Sequence, residues 1–143
     1  MEWIFFKKLV ERKISSVAVH TSYGHLVELS LRMGGDIEKN LHDLGIIRGN
    51  EIRENISGKN VEEKILNLWT ALFNYKPIIN REWRGDLLII DEKCPLCTNI
   101  SVDFHYCNFI AGIVEAVIGK ECFEEKCRAI GDDKCIYRVK KVV

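Results

Sequence analysis

The chain has 143 residues, 47% of them hydrophobic, which is the length of one ordinary domain with enough apolar side chains for a core. Its 21 Lys and Arg residues balance 21 Asp and Glu, so no basic excess draws it to nucleic acid or to an anionic membrane. No apolar run approaches the roughly 20 residues of a membrane span, and the opening MEWIFFKKLVERK sets its charges after a short apolar run, the reverse of a signal peptide. A single cytoplasmic domain over 1–143 is therefore expected.

In chain order, the first predicted helix covers about Val17 to Met33, where Tyr23, Leu26, Val27, Leu29 and Leu31 fall near helical spacing. Gly34 and Gly35 punctuate it, and Asp36 is placed to cap a second helix. That helix has an apolar face of Ile37, Leu41, Leu44, Ile52 and Ile56, with Gly45 and Gly49 as flat spots for a neighbouring helix, and Gly58 is expected to end it. A third helix runs from Asn60, the cap, to about Asn74, with Glu62 and Glu63 in its first turn and Pro77 as its stop. Two short strands follow, KPIINREW and DLLIID, joined by an Arg84-Gly85-Asp86 turn. A largely apolar, buried helix is expected over about Tyr106 to Ile118, closed by Gly119. The end reads as a hairpin: strand ECFEEKCRAI, a Gly-Asp-Asp turn, strand CIYRVKKVV. This order implies an α+β fold, an antiparallel sheet with a helical layer.

All six cysteines (Cys94, Cys97, Cys107, Cys122, Cys127, Cys135) lie after residue 93, and such clustering points to a shared site. With a three-residue Gly131-Asp132-Asp133 loop, Cys127 and Cys135 would be diagonal neighbours on one hairpin face, about 7–8 Å apart. That is too far for a disulfide but suits two ligands on one ion. Strict alternation would bring Glu125 to the same face, and a bulge would bring Glu124. Cys107 opens the fourth helix, where the helix N-terminus favours a thiolate. Cys94-Pro95-Leu96-Cys97 is a knuckle that could supply ligands instead, or act as a redox pair. His105 is a further candidate ligand, whereas His20, His25 and His42 read as surface or interface residues.

The segment YCNFIAGIVEAVIGKECFEEKCRAIGDDKCIYRV resembles the C-terminal half of the 4-vinyl-reductase (hydrocarbon-binding) domain family: a Cys opening a helix with an Ala-Gly pair, then Glu-x-x-Cys, a Gly-Asp-x-x-Cys turn and a final strand. More loosely, NLHDLGIIRGNEI and LWTALFNYKPIINREW resemble the TRAPP-subunit fold. The resemblance implies one α+β fold with a ligand-binding interior, a homodimer through the N-terminal helices, and zinc on Cys107, Glu124, Cys127 and Cys135, with Cys94 and Cys97 as alternatives. Cys94, Cys97 and Cys122 lie outside the family's motif.

Of the aromatic residues, Trp69, Phe73, Trp83 and Phe109 are candidates for the wall of an apolar ligand pocket, with Trp83 offering an indole N–H. Trp3, Phe5 and Phe6 could cover a dimer partner. The reading favoured is a binding domain for a small hydrophobic or aromatic ligand with a structural zinc, sensory or regulatory in role. The alternatives are a TRAPP-like structural adaptor, an accessory to a reductase and a thiol-based redox sensor. The sequence carries no nicotinamide or flavin motif, hence no visible hydride source, and no catalytic residue is assigned.

Overall fold

The computed structural model describes residues 20–142. The first helix, α1, is described over residues 20–33. Trp3, Phe5 and Phe6, the expected dimer cover, lie outside the described residues. Gly34 and Gly35, with φ of 75° and 77°, turn the chain as residues without a Cβ can. Asp36 then caps α2 (Ile37–Ile52): its Oδ1 accepts from the backbone N–H groups of Glu38 and Lys39 at 3.1 and 3.2 Å. A short 3-10 turn over Arg53–Asn55 finishes α2, so the helix stops before Gly58, the expected terminator. A Cβ on Gly58 would sit 2.6 Å from the Lys64 backbone nitrogen; that glycine serves close packing against the next helix rather than a cap.

Helix α3 (Val61–Phe73) is capped by Asn60, whose Oδ1 accepts from the Glu63 N–H at 2.9 Å. Its first turn carries Glu62 and Glu63, the favourable sign at a helix N-terminus. It ends on Asn74, in the left-handed conformation at φ 63°, whose N–H reaches Thr70 O. Pro77 lies beyond that stop and is not what ends the helix.

The sheet contains β1 (Ile78–Arg81), β2 (Leu87–Asp91), β3 (Cys122–Lys126) and β4 (Cys135–Val139), in the order β1-β2-β4-β3, every pairing antiparallel. One face is buried. Leu87, Ile89 and Asp91 of β2 stand opposite Val139, Tyr137 and Cys135 of β4, and Cys122 and Glu124 of β3 continue the rows. Helix α4 (Asn108–Ile118) packs on β3 and against α2, burying Ile110, Ala111, Gly112, Ile113, Val114 and Val117. The α2–α4 contact is backbone-close. A Cβ on Gly49 would lie 2.6 Å from the Ala116 Cβ, and one on Gly112 would lie 2.9 Å from Gly45 Cα and Ile46 N. Gly45 and Gly49 are therefore the flat spots expected, and Gly112 answers them from α4. The result is α+β, with a helical layer over an antiparallel sheet.

The C-terminal hairpin departs from the expected register. Strand β3 ends at Lys126, a 3-10 turn takes Arg128–Ile130, and Gly131 is left-handed at φ 120°. The pairing slips between Glu124, opposite Tyr137, and Lys126, opposite Ile136, which leaves Glu125 as the extra residue of a β-bulge. The bulge reverses the alternation, so that Glu124 and Cys127 both point inward while Glu125 is exposed. Cys127 sits beyond the ladder instead of opposite Tyr137, and the diagonal pairing of Cys127 with Cys135 does not occur.

Candidate functional site: a thiol cluster beside an apolar cavity

Four segments bring five cysteines to one point. After β2, the Lys93 N–H donates to Asp91 Oδ1 at 2.9 Å, and Pro95 starts a 3-10 turn over Pro95–Cys97. That turn sets the sulfurs of Cys94 and Cys97 3.6 Å apart. Cys107 is the N-cap residue of α4. Cys135 opens β4 opposite Asp91, and Cys127 follows β3, its N–H held by Asp132 Oδ2 at 2.9 Å. Four further sulfur pairs are close: Cys94–Cys107 at 3.6, Cys97–Cys107 at 3.0, Cys97–Cys135 at 3.6 and Cys97–Cys127 at 3.8 Å. All five thiols are buried. Cys122, also buried, faces a different neighbourhood, where its N–H donates to Glu115 Oε1.

Glu124 completes the cluster. It is 3% exposed; its Oε1 accepts the Cys107 N–H at 3.0 Å, and its backbone N–H donates to Asn108 Oδ1 at 3.1 Å. Its Oε2 has no hydrogen-bond partner, an expensive condition for a buried oxygen. His105 Nδ1, also unpartnered, lies 3.8 Å from Glu124 Oε1. Burial, and after it the charge of Cys127 and Cys135, pushes the Glu124 carboxyl well up from its ordinary range. Burial likewise pushes the Cys107 thiol up, which outweighs the helix N-terminus expected to lower it. The Cys107 thiol in turn draws Cys127 down to about 6 and Cys135 to about 5, and the Arg128 N–H adds a 3.5 Å contact to Cys135 Sγ.

This donor set fits zinc. Zinc–thiolate bonds of about 2.3 Å put the corners of a tetrahedron about 3.8 Å apart; four of the sulfur separations, at 3.6–3.8 Å, lie close to that spacing and Cys97–Cys107, at 3.0 Å, is shorter. Two four-residue groups have donor atoms within 4.8 Å of one another: Cys94, Cys97, Cys107 and Cys135, and Cys107, Glu124, Cys127 and Cys135. The structure thus brings together the four residues implied by the resemblance and also both alternatives. His105 stands at the edge of the cluster. His20 and His42 instead tie the framework, with Nδ1 of His20 3.1 Å from Pro95 O and Nε2 of His42 3.0 Å from Cys122 O.

Beside the cluster is a cavity of about 550 Å³ among the helices. Its wall is formed by Tyr23 and Leu26 of α1, Leu44 and Ile47 of α2, Leu72 and Phe73 of α3, Leu96 of the knuckle, and Phe109, Ile110 and Ile113 of α4; Ser22, Arg48 and Glu51 are its polar members. Of the four aromatic candidates, Phe73 and Phe109 line it. Trp69 does not: it is fully buried, its ring 5.5 Å from Tyr137 and its N–H donating to Asp91 Oδ2 at 3.0 Å. Trp83 is 88% exposed beside the β1–β2 turn, with Arg84 over its ring. Sequence reasoning passed over Leu26, Leu44 and Leu72 because a leucine in a helical stripe carries no sign of whether it meets another side chain or a void.

Two residues join cavity and cluster. Leu96 lies between Cys94 and Cys97 and faces the cavity. Tyr23 lines the cavity and donates its hydroxyl to the carbonyl of Tyr106, the residue before Cys107.

No protein-family model and no curated protein matches the sequence. Among solved structures, a trafficking protein particle complex (TRAPP) subunit 3 from Naegleria fowleri, covalently bound to palmitic acid, superposes with a TM-score of 0.78 over 89% of this chain and 95% of that chain, at 19% sequence identity. The fold is therefore that of a TRAPP subunit.

Proposed function

We propose that this domain binds a small hydrophobic molecule, an acyl chain or an aromatic compound, in the cavity between its helices. A structural zinc, held by the cluster around Cys107, Glu124, Cys127 and Cys135 as the 4-vinyl-reductase resemblance implies, fixes the C-terminal hairpin to α4 beside it. The observation that carries this reading is the cavity: about 550 Å³, walled by apolar side chains with three polar residues among them. Ligand sites of small molecules have this size and character. The palmitic acid on the structural neighbour makes an acyl chain the first class to try. None of the described lining residues is a cysteine. A zinc with four protein ligands has no open position for a substrate, and the metal's role is structural.

Titration with a fluorescent fatty acid, then competition with a simple phenol, tests the cavity. Saturable binding is expected, weakened about tenfold or more by Leu44→Trp, which fills the cavity from a half-buried position. Unchanged affinity in that variant would place the ligand elsewhere.

A second reading rests on the helices. Leu29 and Met33 of α1 and Ile47 of α2 are 59%, 67% and 57% exposed, and a homodimer through the N-terminal helices would cover them. Sedimentation that finds a monomer at every concentration for the wild type, as for Leu29→Glu, would remove it.

A further inference from the structure

We infer that the cluster is a two-metal centre, in which Cys107 and Cys135 bridge two zinc-like divalent ions. Cys94 and Cys97 complete one tetrahedron, and Glu124 and Cys127 complete the other. The inference deepens the proposed zinc site and rests on it.

The donor inventory carries the argument. A structural zinc takes four ligands, and a single ion would leave two of the six donors unused. If that ion took Cys94, Cys97, Cys107 and Cys135, the Glu124 carboxylate would stay buried with one oxygen unpartnered, the costliest residue to leave over. If it took Cys107, Glu124, Cys127 and Cys135, the knuckle would present two buried sulfurs, 3.6 Å apart and 3.6 and 3.0 Å from Cys107, to nothing. Two tetrahedra that share an edge have six corners, and the two groups found here share Cys107 and Cys135.

The two halves are also in contact. Cys97 Sγ is 3.6 Å from Cys135, a shared corner, and 3.8 Å from Cys127, a corner of the other tetrahedron. Terminal corners of two edge-sharing tetrahedra lie about 5 Å apart when the bonds are about 2.3 Å, so Cys97 and Cys127 move apart when both ions are bound. The chemistry balances without redox change: each ion displaces thiol protons to solvent as its thiolates form, and no electron moves.

The test is a cobalt(II) titration of the reduced, metal-free chain, followed by the thiolate-to-cobalt and tetrahedral d–d absorption bands and by the magnetic response. The bands are expected to grow to two equivalents, and the paramagnetism per ion to fall as the second ion enters, because bridged ions couple. Cys94→Ser with Cys97→Ser should move the end point to one equivalent with tetrahedral bands intact. A wild-type end point at one equivalent overturns the two-metal centre and leaves the single structural zinc standing. Two equivalents without magnetic coupling overturns the bridge. The absence of tetrahedral bands altogether overturns this inference and the zinc site together.

Discussion

Asp91 is the residue on which the core beside the cluster turns. Its buried carboxylate accepts from Trp69 Nε1 at 3.0 Å, from the Tyr75 hydroxyl at 2.8 and 2.7 Å, and from the Lys93 N–H at 2.9 Å. Removing an acceptor while its donors stay buried costs about 1–3 kcal/mol. Asp91→Leu is therefore expected to lose about 3 kcal/mol, read as a fall in denaturant midpoint, with Asp91→Asn losing less because it keeps one acceptor oxygen. Equal losses in the two variants would mean that packing rather than hydrogen bonding holds this site. The sequence did not expose Asp91, since a lone Asp at the end of an apolar strand looks like the start of a turn. Glu124 was half legible. Its spacing to Cys127 marked it through the motif, but alternation favoured Glu125, and only the bulge decides between them. Trp69 and Trp83 show the converse: one residue type, read alike, ends in the core in one case and in solvent in the other. Neither indole's surroundings are written in its local sequence.

At the scale of elements, caps and flat spots were the legible part. Asp36 and Asn60 cap the helices expected of them, and Gly45 and Gly49 seat α4, because cap chemistry and the missing Cβ act within a few residues of themselves. The α2–α4 contact makes a sharp prediction. A Cβ on Gly112 meets backbone atoms of α2 rather than flexible side chains, so the helices must part. Overpacking of this kind costs about 1–3 kcal/mol or more, and Gly112→Val is expected to lose at least about 3 kcal/mol, seen as a lower melting temperature. A variant that melts with the wild type would mean that the helices can separate freely.

The strands add a pH effect. Arg138 of β4 binds Glu82 and Asp86 beside the β1–β2 turn and Glu125 of the bulge. The Arg138 guanidinium holds the Glu82 carboxyl below its ordinary value, and the Lys141 backbone N–H, then Arg138, does the same for Asp86. Carboxyls with lowered folded values stabilise the fold above their unfolded values and lose that contribution as pH falls through the folded ones. Both are half-buried at the protein's surface and partly screened by solvent, so the effect is modest and salt-dependent. The melting-temperature gap between wild type and Arg138→Met should narrow below about pH 4; a gap that stays constant down to about pH 2 would assign the role of Arg138 to packing of its stem. The hairpin register was the illegible element, since whether Gly131-Asp132-Asp133 closes a short turn depends on the 3-10 turn at Arg128–Ile130, and nothing in the local residues forces that turn.

In the whole molecule, cluster and cavity are one object. Helix α4 begins at a cluster cysteine and lends Phe109, Ile110 and Ile113 to the cavity wall. Leu96 is held in that wall by the cysteines on either side of it, and Tyr23 reaches from the wall to the backbone before Cys107. A metal that orders the cluster therefore orders five of the cavity's lining residues: Tyr23, Leu96, Phe109, Ile110 and Ile113. Metal binding at a site that does not exist in the unfolded chain is folding free energy. Chelation under reducing conditions is accordingly expected to lower the melting temperature by about 10 °C or more. The same treatment should weaken acyl-chain binding about fivefold or more, the usual scale of coupling between sites. Linkage makes the effect reciprocal: a saturating acyl ligand must raise metal affinity by the same factor, read at equilibrium as a higher chelator concentration needed to remove the metal. Leu96→Ala separates this from a general loosening of the fold, because it cuts the shared wall and leaves every cluster donor in place. It should reduce the coupling factor toward one while the chain still takes up metal. Coupling that survives Leu96→Ala in full would place the connection in α4 and Tyr23.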